Sequence, residues 1–115
     1  MRAILKSISN DDLELNNFYP EDENVFSIRL MLRIGNEDSA GADNFDLRVC
    51  TPEWLCKHQW LPELMRHTLL VRKYDLDEIT KTITDYINLC EGKEWMEIAQ
   101  KLSRVFAWEY EDYQP

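Results

Sequence analysis

The chain predicts an α+β fold: an antiparallel four- or five-stranded sheet, two C-terminal helices packed on one of its faces, and one short helix between strands. Three observations carry this. Residues 26–34 alternate between apolar and polar along the length of a strand. Two stretches near the C-terminus repeat apolar residues at helical spacing. Strand-like segments come first and helical ones later, an order that segregates helices from an antiparallel sheet. The 115 residues read as a single domain, 1–115, without repeats, linkers or low-complexity tracts.

Residues 2–9 are rich in strand formers and open the sheet. Residues 10–24 are a polar loop with Pro20. Then Phe26, Ile28, Leu30, Leu32 and Ile34 fall on one face and Ser27, Arg29, Met31 and Arg33 on the other, so one face is covered. Residues 35–43, with Gly41, turn the chain, and Phe45, Leu47 and Val49 alternate with Asn44, Asp46 and Arg48 as the partner strand of a hairpin. Thr51-Pro52-Glu53 is a helix start: a hydroxyl to cap, a proline for the first helical position, a carboxylate at the positive end. Pro62 limits that helix. A fourth strand is expected over 67–74. Asp75 with Glu78 is a capping pair for a helix over 75–91, whose stripe is Leu76, Ile79, Ile83, Tyr86, Ile87 and Cys90, with Gly92 at its stop. A further helix over 93–105 turns Trp95, Ile98, Ala99, Leu102 and Val105 inward, and residues 106–110 close as a short strand or an extended segment. The two late helices are the large apolar stripes available to cover the face of Phe26 to Ile34.

Composition excludes several function classes. The 22 acids outnumber the 13 bases, a formal charge of −9. Nucleic acid and anionic membrane surfaces select clustered Lys and Arg, so neither is expected as a partner, whereas a basic protein is. The three glycines are too scattered for a phosphate-cradling loop. No apolar run has the length of a membrane span, and residues 1–7 hold no apolar stretch of signal-peptide length, so the expected location is the cytoplasm. Cys50, Cys56 and Cys90 are odd in number and fit free thiols in a reducing compartment.

The residues that carry chemistry point away from catalysis. His58 and His67 are the only histidines, and no serine has a nucleophile-elbow context. Cys50, Cys56, His58 and His67 match no common zinc spacing, and nothing identifies a base to activate Cys56. No cofactor, metal ligand set or catalytic residue is expected. The carboxylates are grouped: Asp11, Asp12, Glu14, Glu21, Asp22 and Glu23 lie in a stretch without Lys or Arg from Ser7 to Ile28, and Glu109, Glu111 and Asp112 form a second group. They lack calcium-loop spacing, so a solvated acidic face or a partner-binding face is expected of them. Trp54, Trp95 and Trp108 read as core or core-edge, whereas Trp60, between His58-Gln59 and Pro62, reads as an exposed anchor.

Read as a string, nearly the whole chain resembles the eighth numbered immunity family of bacterial polymorphic-toxin systems. The marks are Tyr19-Pro20-Glu21-Asp22, Ile34-Gly35, Phe45 leading into Val49-Cys50-Thr51-Pro52-Glu53-Trp54-Leu55, Tyr74-Asp75, Cys90-Glu91-Gly92 with Trp95, Leu102 with Arg104, and Trp108-Glu109-Tyr110-Glu111-Asp112-Tyr113. Cys56 and Trp60-Leu61-Pro62 fall outside that pattern and are read by themselves. The resemblance implies a non-enzymatic protein that binds and neutralises a cognate secreted toxin domain, often a nuclease, and so protects the producer and its siblings, as in contact-dependent growth inhibition. It implies no list of contact residues.

Elementary electrostatics agrees. A nuclease cleft is basic, and an inhibitor gains association rate and selectivity from grouped carboxylates. The expected partner-binding residues are therefore Asp11, Asp12, Glu14, Glu21, Asp22 and Glu23, extended by Asp38 and Asp43 if the hairpin turn lies beside that loop. Glu109, Glu111 and Asp112 come second, with the alternative that they anchor the C-terminal segment, and Trp60 is an apolar candidate. The rivals are an acidic adaptor or nucleic-acid mimic with another basic partner, and a small enzyme with a histidine against a carboxylate in a cleft.

Overall fold

The computed structural model describes residues 1–112. It runs β1 (Ala3–Ser9), β2 (Ser27–Asn36), β3 (Asp43–Cys50), α1 (Pro52–His58), β4 (Thr68–Leu70), α2 (Leu76–Leu89), α3 (Trp95–Leu102) and β5 (Ala107–Trp108). This is the expected α+β architecture. The sheet order is β1-β2-β3-β4, and β5 also pairs with β3. Register puts β4 beside Arg48 to Cys50 and β5 beside Phe45 and Asp46, so two short strands follow one another along the outer side of β3. Every pairing except β3 with β4 is antiparallel.

The period-two pattern sets the faces. Leu30 sits opposite Leu47, Leu32 opposite Phe45 and Ile28 opposite Val49, all buried. Ile79, Ile83 and Ile87 of α2 and Ile98, Ala99 and Leu102 of α3 complete one core with them. Full burial of such side chains stabilises the fold by about 1.5–3 kcal/mol each before entropy is subtracted. Arg29 and Arg33 face outward, as the alternation requires. Gly35 is dictated by space: a Cβ there would meet the Gly41 carbonyl oxygen at 2.3 Å. β1 is interrupted by a register shift between Leu5 and Ser7, and Lys6 reaches back to the carbonyls of Ser39 and Gly41, which ties the edge strand to the hairpin turn.

Three expectations are corrected. The strand over 67–74 shrinks to Thr68–Leu70 and runs parallel to β3. The chain leaves β3 through α1 and returns with His67 at φ 59, so it restarts in the direction of β3. Tyr74 is then drawn inward by other partners: Phe18, Tyr19 and Phe26 meet its ring edge-to-face at 5.3, 5.6 and 5.2 Å, and its N–H donates to the Glu23 carbonyl. The last helix is shorter than 93–105. The residue before it, Glu94, gives no side-chain cap, and beyond Leu102 the N–H groups of Arg104 and Val105 turn back on the Lys101 and Leu102 carbonyls. Gly92 is not a left-handed helix stop, because α2 ends on the extended backbone of Cys90. A Cβ at Gly92 would lie 3.0 Å from the Glu97 side chain, which accepts the Lys93 N–H and would have to shift by a few tenths of an ångström.

Candidate partner interface

Because β1 and β2 are antiparallel, residues 10–26 cross one end of the sheet and residues 37–42 the other. The loop 10–26 is built from the inside. Leu15, Pro20 and Phe26 are buried, and Phe18 and Tyr19 pack on Tyr74. Asn10 donates to the Arg29 carbonyl at 2.6 Å and accepts the Asp12 N–H at 2.8 Å, so the loop starts pinned to β2. The Asp22 carboxylate accepts the Asn24 N–H, and Glu23 accepts the Tyr19 hydroxyl at 2.7 Å. That bond to an anionic acceptor, first among the causes, holds the Tyr19 phenol above its ordinary range.

With Leu15, Phe18 and Phe26 turned in, the acids are left outside, beside the exposed Leu13 and Tyr19. Asp11, Asp12, Glu14, Glu21 and Asp22 are exposed, and Glu23 is half-buried. Among the described residues, none of the five exposed acids forms an ion pair. Glu21 to Val25 line an open groove whose far wall carries Lys57 of α1. The loop and α1 are stitched together where Thr51 N–H donates to the Phe26 carbonyl at 3.2 Å.

The other expected carboxylates are not part of this surface. β2 spans 10 residues, about 30 Å, and Asp38 and Asp43 lie at its far end. Asp38 is exposed in the turn. Asp43 is half-buried, and one of its oxygens accepts both the Trp95 Nε1–H at 2.7 Å and the Trp108 Nε1–H at 3.0 Å, which clamps α3 and β5 to the start of β3. Glu109 accepts the Asn44 N–H at 2.8 Å and donates its own N–H to the Asn44 carbonyl, so it anchors the C-terminal segment. Glu111 is held by Arg66 at 2.6 Å, and Asp112 is exposed with φ 60. Tyr113, which closes the quoted motif, lies outside the described residues.

Two further surfaces go beyond what the sequence reading singled out. The uncovered sheet face carries Arg29, Arg33 and Arg48 in an acidic chain. Arg29 and Arg48 face each other, a like-charge pair relieved by Asp46 at 3.8 Å from Arg29 and Glu63 at 3.9 Å from Arg48. The second is the segment after α1, where Leu61, Leu64 and Met65 join Trp60 in solvent.

The groups that would do chemistry are dispersed. His58 lies against the Trp54 ring at 4.9 Å, and the His67 Nε2 is buried without a protein partner. Burial pushes the Cys50 and Cys90 thiols upward, away from the nucleophilic thiolate, while Cys56 is exposed. Among the described residues, no three His, Cys, Asp or Glu side chains are grouped to hold a metal ion. No helix among them is long and apolar enough to cross a membrane.

The architecture is that of an α+β domain. The sequence profile of the family described as Immunity protein 8 matches residues 3–113, so the chain belongs to that family and is an immunity protein, a class directed against toxins. Neither the curated proteins nor the solved structures contain a match to it.

Proposed function

We propose that this protein acts in the cytoplasm of the producing cell. There it binds a cognate secreted toxin domain with a basic surface, a nuclease, and neutralises it without catalysis. Asp11, Asp12, Glu14, Glu21 and Asp22 form the charged contact surface, with Glu23 at its edge. The observation that carries this reading is their arrangement: exposed acids without ion-pair partners among the described residues, on a loop whose aromatic residues pack on Tyr74, in a member of an immunity family. Carboxylates so placed accelerate encounter with a cationic partner and reject anionic ones. A fixed loop also loses little freedom on binding. Asp43, Glu109 and Glu111 are committed to holding the fold, so they are second to this loop as contacts.

The test is co-expression with the C-terminal toxin domain encoded beside this gene. Growth rescue, a one-to-one complex, and loss of nucleic-acid cleavage by the toxin domain are the expected results. Death of co-expressing cells despite soluble immunity protein overturns the proposal.

A further inference from the structure

From Pro52 to Arg66 the chain makes an excursion that adds nothing to the buried core. None of these 15 residues is buried, and neither Trp54 nor Leu55 packs against the core. Surface excursions are ordinarily polar, yet this one ends in four large apolar side chains. Trp60 is 82% exposed, Leu61 76%, Leu64 101% and Met65 43%. A single exposed leucine needs no explanation, but four large apolar residues within six positions mark an interaction surface.

The segment is also held. The Gln59 side chain donates to the Leu61 carbonyl at 2.8 Å, and Glu63 pairs with Arg48 of β3. At its end, Arg66 bonds Glu111 and the Ser103 carbonyl. These ties fix a projection that makes no core contacts, a preorganised shape that loses little entropy on binding.

We infer that Trp60, Leu61, Leu64 and Met65 are the apolar anchor of the toxin interface, seated in an apolar recess of the toxin domain that is flanked by Lys and Arg. The inference rests on the proposed function and divides its labour. Charge complementarity selects the occupant: α1, from which the projection departs, shares a groove with the acidic loop through Lys57 and Glu21 to Val25, while the far end of the projection is tied to Ser103 and Glu111. The acids steer the toxin domain in, and the anchor holds it, since desolvated aromatic and aliphatic groups near the centre of an interface dominate dissociation.

The experiment measures binding kinetics against the adjacent gene's toxin domain, purified with its catalytic residue inactivated. The variants are Trp60→Ala/Leu64→Ala and, separately, Trp60→Ala. Both should melt like the wild type, because neither side chain touches the core. The double variant should bind at least about 30-fold more weakly, through faster dissociation. That ratio to wild type should persist at about 1 M salt, where charge interactions are screened beyond about 3 Å. Affinity within about threefold of wild type overturns the inference while leaving the proposed function standing. So does a wild-type dimer that the substitution dissociates without weakening toxin binding. If the wild type does not bind the toxin domain, the proposed function fails and this inference with it.

Discussion

The two ends of the sheet carry the same residue types and use them in opposite ways. At the hairpin end, Asp43 and Glu109 turn their oxygens toward two indoles and a backbone N–H, and those bonds knit α3, β5 and β3 together. At the other end, Asp11, Asp12, Glu14, Glu21 and Asp22 face solvent, while the aromatic residues between them hold the loop. A carboxylate that satisfies buried-side donors stabilises structure. One that faces water without a counter-charge contributes little to folding and keeps its field available. Net charge, which adds the two ends together, cannot distinguish them.

The sharpest break of this comparison is Asp43→Ala. It strands two partly buried indole N–H groups and should lower stability by about 2–3 kcal/mol. Chemical denaturation measures this, and a loss no larger than for a surface residue contradicts the clamp. Glu109→Ala removes the acceptor for one backbone N–H and should cost about 1 kcal/mol, read the same way, together with earlier proteolysis of the C-terminal segment.

Next in size is an alkaline effect. Burial raises the phenols of Tyr74 and Tyr86 and the thiols of Cys50 and Cys90. The folded state therefore keeps these protons longer than the unfolded state. The stability they contribute is full below the ordinary values, 9.0 for the thiols and 10.0 for the phenols, and is lost as pH rises through the folded values. The Tyr74 hydroxyl is buried without a protein partner. Tyr74→Phe should thus leave stability near neutrality unchanged or slightly higher and move the alkaline unfolding midpoint upward, which a pH series of melts decides.

The smallest effect on stability belongs to the free end. Changing Asp11, Asp12, Glu14, Glu21, Asp22 and Glu23 to Asn or Gln keeps the acceptors for Asn24 and Tyr19 and removes only charge. The melting temperature should move by less than about 3 °C. Association with the toxin domain should slow by about tenfold or more at low salt, and that defect should fade as salt rises. A large stability loss would assign these acids to the fold instead.

What the sequence disclosed tracks the range of the interactions involved. The faces of β2 and β3, the Thr51 and Asp75 caps and the α2 stripe depend on residues within a few positions, and they were legible. The parallel β4 was not, because its direction depends on how the α1 excursion returns through a left-handed His67. Similarly, the acid-rich loop was visible as composition. That Asp43 lies some 30 Å from it and clasps Trp95 and Trp108 depends on pairings 52 and 65 residues apart. The exposed apolar run after α1 was seen only at Trp60, since Leu61, Leu64 and Met65 fit no period that would have marked them as core or surface.

The central claim is that the toxin domain is met by the loop end and not by the hairpin end. Amide hydrogen exchange of the protein, alone and saturated with the inactivated toxin domain, tests it directly. The account predicts new protection in residues 10–25 and 52–66, with exchange in residues 36–44 unchanged. Protection concentrated at the hairpin turn and the C-terminal segment, with the acidic loop and the Trp60 projection exchanging as in the free protein, would contradict it.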